Sequence, residues 1–467
     1  MKKFSVVILS ACLLLTLTAC DKETKSTDSN ITDTTGTNID SVISVENKSD
    51  TANENFVSNS NPSSSTSNNN TSQPTKNNPS KNKTQATSKT TVTNKGTTLP
   101  TDVTDDVVPT QNQITDVTEE FKPITDSGFS EGNGTQTNPY MITTAEELVY
   151  FSEKINTGEM NTGVHFALGA DIDMTGVEFS PIGNSAHRFS SYFDGRGFTI
   201  SNLTPKLIYE HFGYNANYIC GFFGMVENAE IKNLCLENVN ITYTYESNYF
   251  TEIGILAACV YPTRECKITD CIVNGTIKVE TDILLAGGIV GDIFVTNNAK
   301  LNFERLQSNT KIQVRSESPN VGAVSGSLLG RGQERFSDIC AQSVILHSST
   351  YRSYVGAFGG VSKPNGSMSV SNCFFKINTN KNFDDQVHPL IGGIIGSYQS
   401  GGTFYFTNVF GFADDCNELY EISSENPVKE ENCSFTNVLP EGCNFNTEIW
   451  DITDPVTPFI KFNLHKN

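Results

Sequence analysis

The chain has 467 residues, with 52 Asp and Glu against 32 Lys and Arg, for a formal net charge of −20. So acidic a chain offers no basic footprint for nucleic acid or an anionic surface. Aromatic residues are 10% of the whole yet nearly absent between residues 21 and 120, so the chain divides into a low-complexity part and a folded part.

Residues 1–20 begin with Lys2 and Lys3, continue with an apolar run from Phe4 to Leu17, and close on Leu17-Thr-Ala-Cys20. A basic start, a short apolar core and small residues before a cut site predict a secretory signal; a membrane span needs about 20 apolar residues. The ending resembles the lipobox of bacterial lipoproteins, which implies cleavage between Ala19 and Cys20 and a lipid anchor on Cys20. Such an anchor makes the membrane a partner and puts the protein on the outside of a bacterial cell. Two or three acyl chains hold stably where one is marginal. Residues 21–126 are rich in Ser, Thr, Asn and Lys and show no periodicity. They cannot bury enough apolar surface to offset their ordering entropy, so they read as a disordered tether.

The folded part, 127–467, opens with the Gly-rich turn Glu131-Gly-Asn-Gly134 and a short strand near Tyr140-Met-Ile142. Thr144-Ala-Glu-Glu147 is a capping-box pattern, and Leu148, Phe151 and Ile155 share one face of the helix it starts. That helix is expected to plug the open end of a stack of strands, because an exposed parallel edge invites aggregation.

From Ile200 onward the chain is a repeat. An apolar residue, a spacer, a polar turn-former and another apolar residue recur eight times: Ile200 to Leu203, Ile231 to Leu234, Ile268 to Cys271, Phe303 to Leu306, Phe336 to Ile339, Val370 to Cys373, Phe406 to Val409 and Phe435 to Val438. The polar positions are Asn202, Asn233, Asp270, Arg305, Asp338, Asn372, Asn408 and Asn437. A second phrase, Gly-x-x-Gly or a close variant, runs between the copies, as in Gly221-Phe-Phe-Gly224, Gly254-Ile-Leu-Ala257 and Gly288-Ile-Val-Gly291. Two phrases in step at one period of about 34 residues mean stacked units. Short β-branched and aromatic runs between Gly, Asn, Asp and Ser make those units strands and turns. The expected fold is all-β, a parallel β-helix of about seven or eight coils. Its polar positions stack as a ladder, because Asn tolerates the left-handed turn and amides bond along the axis. Arg305 is the exception, with no sequence-level reason. The close, from Trp450-Asp-Ile-Thr-Asp454 to Phe462, reads as the terminal coil and its cap.

Phe193-Asp-Gly-Arg-Gly-Phe-Thr-Ile200, taken with Ile200-Ser-Asn-Leu203 and the Gly-x-x-Gly phrases, resembles the GLUG-motif repeat proteins of bacterial surfaces. Asn138-Pro-Tyr-Met-Ile142, Glu146 to Phe151 and Asp171-Ile-Asp173 match the usual lead-in of that family, so the resemblance covers about 127–467. Phe198 stands where the family phrase usually has His. The resemblance implies a β-helix on adhesins and, as an accessory module, on IgA-specific metallopeptidases. It implies surface display and adhesion to a host or cell-wall glycan or protein, and no reaction. Right-handedness follows from the same resemblance and from the chirality of parallel crossovers.

Ten cysteines remain besides Cys12 and Cys20. Cys271 and Cys373 hold the inward apolar position of the repeat and Cys235 and Cys340 come one step later; all four are expected to pack as small hydrophobes. Cys259 and Cys266 flank a short loop and are the disulfide candidates, while Cys416, Cys433 and Cys443 cluster near the end. Without a CxxC pair or an H-E-x-x-H pattern, no metal or cofactor is expected. No Gly-x-Ser-x-Gly elbow or P-loop is present. The alternative to a binding module is a β-helix polysaccharide lyase or hydrolase, with Asp384-Asp385 and Asp414-Asp415 as its acidic candidates; a further alternative is a passive spacer of the envelope.

Overall fold

The computed structural model describes residues 128–462 apart from 213–214, 246–248, 350–352, 380–389, 399–401, 415, 417–419 and 423–427. Ala19, Cys20, the tether, Asp384, Asp385 and Asp415 lie outside the described residues.

The chain winds as a parallel β-helix. Glu265–Gly287 shows how one coil is made. It pairs in parallel, from Glu265 opposite Lys300 to Gly287 opposite Gly322, with the strand one coil later. Asp270, in the left-handed region at φ 56°, turns the strand from one face to the next. After Gly287 the chain turns again, and Val290–Val295 enters a separate seven-stranded sheet whose pairs are all parallel. Parallel pairing is a consequence of the repeat: each coil returns the chain to its starting point, so equivalent strands run the same way.

The core fills the tube. Phe166, Phe193, Ile231, Ile268, Phe303, Phe336, Val370 and Phe406 stand opposite one another in successive coils, and all are at most 1% exposed. From Ile231 on, these are the first apolar residues of the repeated phrase. The helix α1, Ala145–Asn156, closes the N-terminal end. Leu148, Phe151 and Ile155 are fully buried, and the Phe151 ring lies 4.4 Å from Phe166 and 5.7 Å from Phe193. Thr144 Oγ1 accepts from Glu147 N. The Glu147 carboxylate reaches back to Thr143 N and Ser130 N, one residue beyond the usual box partner.

The polar ladder is real but is two columns rather than one. The main column holds Asn233, Asp270, Arg305, Asp338, Asn372, Asn408 and Asn432, all with φ between 53° and 56°. Asn408 Nδ2 donates to Asn372 Oδ1 at 3.0 Å, and Asn432 Nδ2 to Asn408 Oδ1 at 2.7 Å. Asn202 is not in this column. It accepts from Asn238 Nδ2 and donates to Asp173, in a second column one face further round that continues through Asn274 and Asn309. The phrase Ile200 to Leu203 copies the pattern of the main column but pairs with the following strand. Asn437 is in neither column. Asn432 takes the last place, because Val428–Glu431 is the strand that pairs with the preceding coil. Arg305 now has a reason. Its Nε and Nη2 donate to the two oxygens of Asp270 at 2.6 and 2.7 Å, and its charge also acts on Asp338 in the next coil. Where two acids flank a ladder position, a guanidinium fork satisfies what an amide would leave repelled.

The Gly-x-x-Gly corners are re-entrant. Gly254, Gly287, Gly322, Gly356 and Gly392 stand in one row. A Cβ on Gly287 would lie 1.8 Å from Val290 O, and one on Gly322 2.1 Å from Ser325 O. The second row is Gly224, Ala258, Gly291, Gly326 and Gly360, so in one copy the phrase ends on Ala258 and not Ala257.

The C-terminal stretch is a strap and not a terminal coil. Trp450–Asp451 and Phe459–Ile460 form a small antiparallel pair. Trp450, Phe445, Leu439 and Ile460 pack outside the tube on Cys340, Phe374 and Phe410. Trp450 Nε1 donates to Asp338 Oδ1 at 3.1 Å, and Ile460 N to Gln307 Oε1. Large apolar residues placed outward on three coils required a cover, and the strap supplies it.

The disulfide expectation fails. Cys259 and Cys266 are both free thiols, as are the other eight described cysteines. Cys266 points into the core, whereas Cys259 packs outward with Ile219, Met225 and Ala258, so the β-helix wall separates them. Cys271 and Cys373 are core residues as expected. Cys340 is buried under the strap and not in the tube. Burial pushes the Cys266, Cys271 and Cys340 thiols up to about 12, which leaves them protonated and inert.

Candidate ligand pocket on the outer face

Side chains alternate along a strand, so residues flanking the inward Phe166, Phe193 and Ile231 point out. These are His165, Tyr192 and Glu230 in one row, and Ala167, Asp194 and Lys232 in the next. With Gln136, Pro139 and Arg196 they line a cleft of about 140 Å³. The preceding Gly-rich turn supplies one wall, held by Asn133 N to Asn138 O and by Gly134 at φ 75°.

Aromatic and charged groups divide the cleft. The His165 and Tyr192 rings are stacked, with centroids 4.0 Å apart and planes 3° from parallel. Tyr192 is 41% exposed, enough to offer its other surface to a ligand. Burial, with help from the Lys232 charge and against that of Glu230, holds the His165 imidazole below its usual value, so the ring is neutral at pH 7. Lys232 Nζ sits 3.3 Å from Glu230 and 3.9 Å from Asp194. Asp194 Oδ1 accepts from Arg196 N and Asn233 Nδ2, both at 2.9 Å. Arg196 is at φ 49°, a turn conformation that costs a non-glycine residue about 1 kcal/mol.

Of the polar positions read from the repeat, Asn233 alone reaches this cleft, through Asp194. Asp270 and Asp338 are engaged by Arg305 and Trp450, and Asn372 and Asn408 bond within the ladder. Asp414 accepts from Thr379 N and Oγ1 at 2.6 Å, which ties two coils together. His165, Tyr192, Arg196, Glu230 and Lys232 were not singled out from sequence. The signal that points to them is their place beside inward Phe and Ile residues in consecutive copies.

No family model matches the chain. A protein of Evansella cellulosilytica, provisionally named a Gly-rich membrane protein, is 37% identical over 123 residues, covering 25% of this chain and 13% of that protein. Halomucin of Haloquadratum walsbyi is 27% identical over 172 residues, covering 35% of this chain and 2% of halomucin. This chain therefore spans only a small part of either relative. A solved chain from Bacteroides ovatus, provisionally assigned as an immunoglobulin A1 protease, aligns with a TM-score of 0.48 at 18% identity, covering 72% of this chain and 95% of that one.

Proposed function

We propose that the chain is an exported, lipid-anchored surface protein whose β-helix binds glycan without cleaving it. The cleft at Tyr192 carries this reading. An exposed aromatic ring beside a few fixed polar groups suits a sugar, whose C–H edge lies on the ring while its hydroxyls bond Asp194, Arg196 and Lys232. The Leu17-Thr-Ala-Cys20 ending supports anchoring at Cys20, and the relative named as a membrane protein supports association with the envelope. The same reading assigns the chain to the GLUG-motif repeat proteins, on residues 193–200 and the ladder phrases. A rigid stack of coils presents such a cleft without ordering cost.

The test is an array of glycans and host proteins probed with the chain from residue 21 onward, with released sugars measured in the same wells. The expected result is retention on a glycan without sugar release. Release would replace the binding reading with the polysaccharide-cleaving one, and silence in both would favour a passive spacer.

A further inference from the structure

The re-entrant corner brings outward side chains of two faces together, away from the sugar cleft. Glu252 lies between Ile219 and Leu285 in one face. Cys259, Asp292 and Ser327 succeed one another in the other. Glu252 is 5% exposed. Its Oε1 accepts from Asn217 Nδ2 at 2.7 Å. Among the described residues, Glu252 Oε2, Asn217 Oδ1 and Asp292 Oδ1 are buried without a hydrogen-bond partner. The nearby cation Arg188 is engaged by Glu227 at 3.6 Å and by the Tyr261 ring at 4.8 Å.

Three buried oxygen acceptors without donors are costly, and a positive ion among them removes the cost. We propose that Glu252, Asp292 and Asn217 form a site for a hard divalent cation, calcium above all. Two carboxylates and an amide carbonyl are calcium ligands, and calcium completes its shell of six to eight oxygens with water or a hydroxyl such as Ser327. Among the described residues no group of three His, Cys, Asp or Glu side chains is placed to hold a metal ion, so the third protein ligand here is the Asn217 amide carbonyl. The electrostatics agree: burial, then the Asp292 charge, raises the Glu252 carboxyl far above its ordinary range, and burial raises Asp292 to about 6. The ion would join three successive coils across the corner, through Asn217, Glu252 and Asp292 in turn.

The experiment uses the chain from residue 21 onward, stripped with chelator and then titrated calorimetrically with calcium chloride or magnesium chloride. Melting is followed in parallel in each salt and in chelator. One calcium is expected to bind per chain, raising the melting temperature by about 4 °C or more. Glu252→Gln and Asp292→Asn should lose both effects yet still show β-rich circular dichroism and cooperative melting in chelator. Asn217→Asp, which adds a charged ligand, should bind calcium more tightly than the parent. Identical wild-type melting in calcium, magnesium and chelator would overturn the site. So would calcium binding that survives both carboxylate substitutions, or tighter binding of magnesium than calcium.

Discussion

Glu334→Met is expected to stabilise the protein at pH 8 by about 3 kcal/mol. Glu334 is the one acid in an inward row that otherwise reads Cys266, Leu301, Met368 and Phe404. It is 2% exposed; one carboxyl oxygen accepts from Gly332 N at 3.0 Å, and the other has no partner among the described residues. Burial raises its pKa from 4.5 to about 7. Between those values the folded state holds a proton that the unfolded state has released, so stability falls as pH rises through this window. At about 1.4 kcal/mol per pH unit, the penalty above pH 7 is of order 3 kcal/mol. Met has nearly the volume of Glu and matches its neighbour Met368. Urea midpoints at pH 5 and pH 8 check this: the variant should gain at pH 8 and change little at pH 5. Some slope should persist in it, because Glu252 and Asp292 are raised in the same direction. Equal midpoints for parent and variant at pH 8 would refute the assignment.

Gly287→Ala is expected to cost more than about 3 kcal/mol, enough to cut soluble yield sharply. The added Cβ would meet Val290 O at 1.8 Å, Val290 C at 2.7 Å and Val324 O at 2.8 Å. All three are backbone, so no side chain can swing aside, and the corner itself must open. Opening it would break pairing with the coils on either side, since Gly254 and Gly322 stand directly opposite. Gly128→Ala is the control: its Cβ would meet only the Tyr150 hydroxyl, at 3.9 Å, and its urea midpoint should stay within about 0.5 kcal/mol of the parent.

The periodic features were legible because each is a local rule repeated. Ile231, Ile268, Phe303 and Phe336 fall inward at the spacing read from the sequence, and α1 forms as its cap and its apolar stripe dictate. Features that depend on what lies opposite were not. Asn202 and Asn233 have the same local phrase, and only strand pairing separates their columns. Asn437 lost its place because Glu430 to Cys433 lacks the apolar signature that marked the other copies. Arg305 makes sense only beside Asp270. The strap was hidden because Trp450 and Ile460 look like any closing coil until Phe374 and Phe410 are known to point outward. Cys259 and Cys266 are close in sequence, but strand alternation puts them on opposite sides of the wall. The cleft escaped for the same reason: His165, Tyr192 and Glu230 are distant in sequence and become neighbours only when coils of unequal length are stacked in register.

The most direct test of the proposed glycan binding is a calorimetric titration of the best-retained glycan into three proteins: the parent, Tyr192→Ala and Tyr405→Ala. Tyr192 and Tyr405 are each 41% exposed, and only Tyr192 lines the cleft. The expected result is at least about a tenfold loss of affinity for Tyr192→Ala, or 1.4 kcal/mol, with Tyr405→Ala unchanged. Full affinity in Tyr192→Ala, or equal losses in both variants, would contradict the assignment of the cleft.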